Sequence, residues 1–123
     1  RRGGVLICGG LGGVMNAAAR GAKAQGGLTV GILPGCSADD ANPHIDIPIA
    51  TDMGHARNVV NVRAADAVVG VGGSYGTVSE IALALKLGIP VVAIAPPLDS
   101  SDITTAETPE AAVEMAFELA GAA

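Results

Sequence analysis

The sequence predicts an α/β protein built on a doubly wound, mostly parallel sheet with helices on both faces. Three observations carry that reading. Short apolar runs alternate with stretches of helical periodicity along the 123 residues. The runs are continuous in Val, Ile and Leu instead of alternating with polar residues, as in strands covered on both faces. Two of them stop in glycines and restart at once as helices.

The elements follow in order, with strands expected at 5–8, 29–33, 45–50, 67–71 and 91–95 and helices at 12–24, 53–64, 76–87 and 109–120. The first strand, Val5-Leu6-Ile7, runs into Cys8-Gly9-Gly10-Leu11-Gly12-Gly13-Val14-Met15 and then a helix. After the second strand, residues 35–43 form a turn-rich loop. Asp52 is expected to cap the helix that carries His55, Arg57 and Asn58. The fourth strand, Ala67-Val68-Val69-Gly70-Val71, runs into Gly72-Gly73-Ser74-Tyr75-Gly76-Thr77-Val78-Ser79-Glu80. Gly88 after Leu87, with Pro90 close behind, stops that helix. Residues 96–102 are a second loop, and Thr108-Pro109-Glu110 supplies a cap, a first-turn proline and an acid to the last helix. One domain spanning 1–123 is expected, with an aliphatic core.

Composition narrows the function classes. A net charge of −5 leaves no basic stripe for a phosphate backbone. Tyr75 and Phe117 are the only aromatics, too few to stack single strands. Nucleic acid is therefore not an expected partner, and no stretch reads as a membrane span. Cys8 and Cys36 form no metal-ligating spacing, so no metal is expected and both read as reduced thiols of a cytoplasmic protein.

The glycine turns carry the chemistry. A strand that ends in glycines and reopens as a helix aims backbone N–H groups and a positive dipole end at one spot, which suits a phosphate. In the first turn the candidates are Gly9, Gly10, Gly12, Gly13 and Met15; tight strand–helix packing explains the same glycines, and core packing the same methionine. In the second they are Gly72, Gly73, Ser74, Tyr75, Gly76 and Thr77. Thr77-Val78-Ser79-Glu80 also fits a capping box, with Thr77 as the cap and Glu80 reaching back to it, while Val78, Ile81, Leu83 and Leu85 supply the apolar face. Tyr75 either stacks on a base or covers the turn, the latter being favoured. Arg57 is a cation in the opening turns of its helix, against the dipole, which fits either a solvated face or a grip on a bound anion. His55 reads as a surface or supporting group.

Taken together these segments resemble the Lonely Guy (LOG) family of phosphoribohydrolases, and more closely its bacterial and archaeal Rossmann-like branch that includes molybdenum-cofactor carrier proteins. GGLGGVM stands at the family's first glycine turn, and GGLTVGILPG matches the strand after the first helix. The hallmark PGGxGTxxE falls on Gly72 to Glu80, and the upstream arginine motif on His55-Ala56-Arg57, with seven residues separating Arg57 from Ala65-Asp66-Ala67. The resemblance implies a phosphate seat at Gly73, Gly76 and Thr77, with Arg57 and Glu80 as a catalytic pair. They would hydrolyse the N-glycosidic bond of an AMP-like nucleoside 5′-monophosphate without a cofactor. The competing alternative is a non-catalytic carrier of molybdopterin or a related phosphorylated ligand. Gly72 in place of proline, Ser74 in place of glycine and Asn58 in place of lysine lean toward the carrier branch. A homodimer or higher homo-oligomer is expected by the same resemblance. So is a longer chain, because Arg1-Arg2 opens without methionine and the family's first βα unit is absent. A pyridoxal-phosphate decarboxylase is not expected, since Lys23 and Lys86 are the only lysines and neither sits in a suitable constellation.

Overall fold

A computed structural model describes residues 3–121; Arg1 and Arg2, on which the expectation of a longer chain draws, lie outside them. The chain divides into two compact units between Asn61 and Val62. Strands β1 (Val5–Cys8), β2 (Leu28–Leu33) and β3 (Ile47–Ala50) form a parallel sheet in the order β1-β2-β3. Strands β4 (Val68–Val71), β5 (Val91–Ile94) and β6 (Ile103–Thr105) form a second, in the order β4-β5-β6. The helices are α1 (Val14–Ala24), α2 (Arg57–Ala64), α3 (Tyr75–Leu87) and α4 (Pro109–Gly121). This is the α/β class expected, with its strands hydrogen-bonded as two three-stranded parallel sheets.

In the first unit the middle strand carries the burial. Thr29 and Leu33 are fully buried, Ile32 nearly so, and Ala19 of α1 is fully buried as well. Thr29 is a polar residue in that core because its hydroxyl donates to the His44 carbonyl at 2.6 Å and accepts from the Asp46 N–H at 2.9 Å. Asp46 in turn accepts from the Thr29 N–H and from Lys23 of α1, both at 3.0 Å, tying the start of β2 to helix and loop. In the second unit Val62, Ile81, Ala84, Val91, Ala93 and Ile103 form one cluster. Val92, Ala106 and Ala112 form another, so β5 is buried on both faces. Gly70 belongs to this packing: a Cβ there would lie 2.9 Å from Ile81 Cδ1, so β4 and α3 approach only because the position is glycine.

Several expectations change at the element ends, the third strand, expected from Ile45, starting only at Ile47. The first helix starts at Val14 and not at residue 12, because Gly13 sits at φ 66°, ψ −131°, outside helical space. The helix expected from residue 53 begins as a 3-10 turn, Gly54–Ala56, and becomes α-helical at Arg57. Asp52 does not cap it: Asp52 is itself left-handed at φ 53°, and no side chain caps that turn. The strand expected to run to Ala95 stops at Ile94, where Ala95 turns left-handed at φ 51°. Strand β6 was not expected; three residues after a loop carry too little periodicity to announce a strand. The Thr108 cap and the Gly88 stop appear as expected, Thr108 Oγ1 accepting from the Ala111 N–H at 3.1 Å and Gly88 adopting φ 73°.

Candidate functional site

The first glycine turn follows β1 at the carboxyl end of its sheet. Gly9 and Gly10 are buried, whereas Gly12, Gly13 and Val14 are exposed, so the turn rises from the core to open surface. Gly10 is left-handed at φ 78°, and a Cβ there would lie 2.6 Å from Leu33 Cδ2, so two constraints require glycine. Asn42 secures the turn from the far loop: its N–H donates to the Gly10 carbonyl at 2.8 Å, and its side-chain amide donates to the Leu11 carbonyl at 2.8 Å. Sequence reasoning did not single out Asn42; the available signal was an asparagine before Pro43 in a turn-rich loop.

Arg57 completes this end of the first unit. Residues 51–54 are bolted to the end of β2 by Thr51 N–H to the Leu33 carbonyl, Asp52 N–H to the Gly35 carbonyl and Gly54 N–H to the Pro34 carbonyl, at 2.8–3.1 Å. That anchoring turns Arg57 inward, where only 8% of it is exposed. Its guanidinium lies directly over Gly9, in the space a Cβ would occupy, with Met15 Sδ beside it. Nη1 donates to the Ile32 carbonyl at 3.1 Å, and Nε is buried without a partner. Gly9 and Met15 are thus brought together with Arg57, which is far from both in sequence. His55, in the exposed 3-10 turn, matches the surface reading.

The second glycine turn follows β4 in the other unit. Gly72 is left-handed at φ 79°, and Gly73 and Gly76 have ordinary or open space where a side chain would stand. The cap of α3 differs from the expectation. Ser74, in extended geometry, is the N-cap, and its Oγ accepts from the Thr77 N–H at 3.2 Å and shares a 2.9 Å hydrogen bond with Thr77 Oγ1. Thr77 therefore lies within the first turn and does not cap. Glu80 is half-buried one turn further along the helix. Tyr75 does not cover the turn, being 94% exposed. A shallow hollow of about 330 Å³, lined by Leu85, Gly88, Ile89, Pro90 and Asp102, sits at the start of β5, the end of that sheet remote from this turn. Among the described residues no cluster of His, Cys, Asp or Glu has the makings of a metal site, and no helix is long and apolar enough to cross a membrane.

Parallel strands that end in glycine turns at the carboxyl edge of each sheet, one with a buried arginine over it, define a Rossmann-like α/β protein. Residues 1–120 match the model of the SLOG cluster4 family, and the chain belongs to that family. An uncharacterised protein of Archaeoglobus fulgidus is 57% identical over 112 residues, 91% of this chain and 74% of that protein. Among solved structures, the molybdenum cofactor binding protein of Rippkaea orientalis is 37% identical with a TM-score of 0.87, covering 95% of this chain and 78% of its own. The molybdenum cofactor carrier protein of Chlamydomonas reinhardtii is 36% identical with a TM-score of 0.84, covering 97% and 79%.

Proposed function

We propose that this protein binds and carries a phosphorylated small molecule, a molybdopterin-type cofactor being the cargo its relatives favour. The likeness to the Rippkaea and Chlamydomonas proteins, over nearly the whole chain and at more than a third identity, is the observation that carries the reading. The glycine turns support it independently, since each places a helix start and small residues at the edge of a parallel sheet. Gly73, Gly76 and Thr77 on one turn, and Gly12 and Gly13 on the other, are the positions at which a ligand can approach backbone. Tyr75, with its ring in solvent, is available to lie against a ligand's heterocycle. The same reading places the protein in the cytoplasm as a homo-oligomer, which fractionation and light scattering would test.

The decisive experiment is to purify the protein from a host that makes molybdopterin, release bound small molecules by denaturation, and identify them by fluorescence and mass spectrometry. A stoichiometric pterin is the expected result. The hydrolytic reading raised by Arg57 and Glu80 enters as a second arm: the protein is incubated with AMP and free adenine is measured. Turnover that disappears in a stable Glu80→Gln variant would replace the carrier reading with the phosphoribohydrolase one. No bound pterin and no affinity for any phosphorylated pterin or nucleotide would remove both.

A further inference from the structure

The first sheet is covered on one side and open on the other. Residues partnered in its parallel register share a face. Thr29, Gly31 and Leu33 lie on the covered side, where Thr29 and Leu33 are fully buried and a Cβ on Gly31 would stand 3.1 Å from Ile45 Cγ2. Val5 and Ile7 of β1, Leu28, Val30 and Ile32 of β2, and Ile47 and Ile49 of β3 lie on the other. There Val5 is 51% exposed, Leu28 43%, Ile47 45% and Ile49 46%, Ile7 and Val30 are half-buried, and Ile32 alone is buried. Among the described residues this face of the three strands carries only aliphatic side chains. Parallel sheets are covered on both faces, so a side this apolar is built for a cover. Pairing along β3 is opposed, because Pro48 on that edge strand has no N–H to offer a further ladder, so a partner on this side meets the face and not that edge.

We propose that the open face of the β1-β2-β3 sheet docks a second copy of this chain, the two faces packed against each other across a two-fold axis. Such a dimer deepens the homo-oligomeric reading on which it rests, by naming the surface. Charge selects this occupant. The chain carries a net charge of −5, so most contacts between copies set like charges together, whereas an uncharged face meets its own copy without that repulsion. Area sets the strength. Four aliphatic side chains each about half in water form a patch of roughly 300 Å², within the range where an exposed apolar patch is commonly functional. Interfaces are about 60% apolar, so a contact centred on the patch covers roughly 500 Å² per copy. The total of about 1,000 Å² reaches the size of a specific contact but stays below the roughly 1,600 Å² of a standard one. The dimer is therefore reversible, with a dissociation constant in the micromolar range or weaker.

The test is sedimentation velocity of the intact protein from low micromolar to millimolar concentration. The weight-average mass is expected to climb from that of one chain toward that of two. Ile49→Lys and Leu28→Lys each put an ammonium group on the face at a side chain already open to water in the single copy. Either is expected to weaken the dimer at least roughly tenfold with unchanged helix content, since the charge is buried only on association. Using both keeps the surface testable should one variant fail to fold. Val113→Lys makes the same change of net charge on α4, in the other unit, where Val113 is 47% exposed, and is expected to leave the dissociation constant unchanged. A dimer untouched by Ile49→Lys and Leu28→Lys, or weakened as much by Val113→Lys, would overturn the surface and leave the homo-oligomer standing. A protein that stays monomeric up to millimolar concentration would overturn both, while the carrier reading is decided separately by whether a pterin co-purifies.

Discussion

Replacing Gly9 by alanine puts a methyl group where the Arg57 guanidinium lies. The added Cβ would stand 2.8 Å from Arg57 Cζ and 2.5 Å from Met15 Sδ, well inside contact distance. Gly9 is not in the left-handed region, so alanine suits its backbone and the cost is one of packing alone. The methionine end is flexible and yields for about 1 kcal/mol. The arginine cannot yield cheaply, because moving it breaks the 3.1 Å bond from Nη1 to the Ile32 carbonyl in a buried setting, roughly 1.5–3 kcal/mol for a charged donor. The sum is a destabilisation of about 2.5–4 kcal/mol, read as a lowered urea midpoint at unchanged m-value. A double-mutant cycle isolates the cause. With Arg57→Ala already in place, Gly9→Ala is expected to cost at least about 1 kcal/mol less, whereas Gly12→Ala, which meets open space, stays within about 0.5 kcal/mol in either background. Additive effects of Gly9→Ala and Arg57→Ala would refute the account, since the methyl group would then be hitting something else.

Two further outcomes follow from the same geometry. The Lys23 ammonium and the Thr29 N–H, both hydrogen-bonded to the Asp46 carboxylate, hold its pKa below the ordinary 3.8. A carboxyl whose pKa is depressed on folding stabilises above its unfolded pKa, and that contribution disappears as the pH falls through the folded one. Asp46→Asn is therefore expected to lower the unfolding midpoint near neutral pH, with the gap from wild type closing in the acid range below 3.8; a gap that persists there would count against the mechanism. Ser74→Ala removes the cap of α3 and is expected to cost about 1 kcal/mol in thermal or urea unfolding, while Ser79→Ala, on the exposed side of the same helix, costs little.

The helix punctuation and the glycine turns could be read from the sequence because the forces behind them are local. Thr108 caps α4 through a residue three positions on, and Gly88 ends α3 by adopting a backbone angle that other residues resist. The parallel α/β class was also readable, since continuous aliphatic runs such as Val91 to Ile94 leave no polar face for solvent. The cap of α3 was not. Only Thr77 heads a capping box, with Glu80 three residues on, yet the extended backbone at Ser74 makes Ser74 the N-cap. Asp52 carries the right side chain for a cap, but its left-handed backbone, set by the bolting of 51–54 onto the end of β2, points it elsewhere. Strand β6 exists because Ile103, Thr104 and Thr105 find a ladder on β5. Arg57 shows the division most clearly. Its sequence position announced a cation near a helix start, whereas its role depends on a carbonyl 25 residues upstream and on a glycine in the first turn. Local rules span a turn or two of chain; whether a guanidinium is solvated or buried over Gly9 depends on which strand end lies beneath it, and only the packed tertiary structure brings that strand end there.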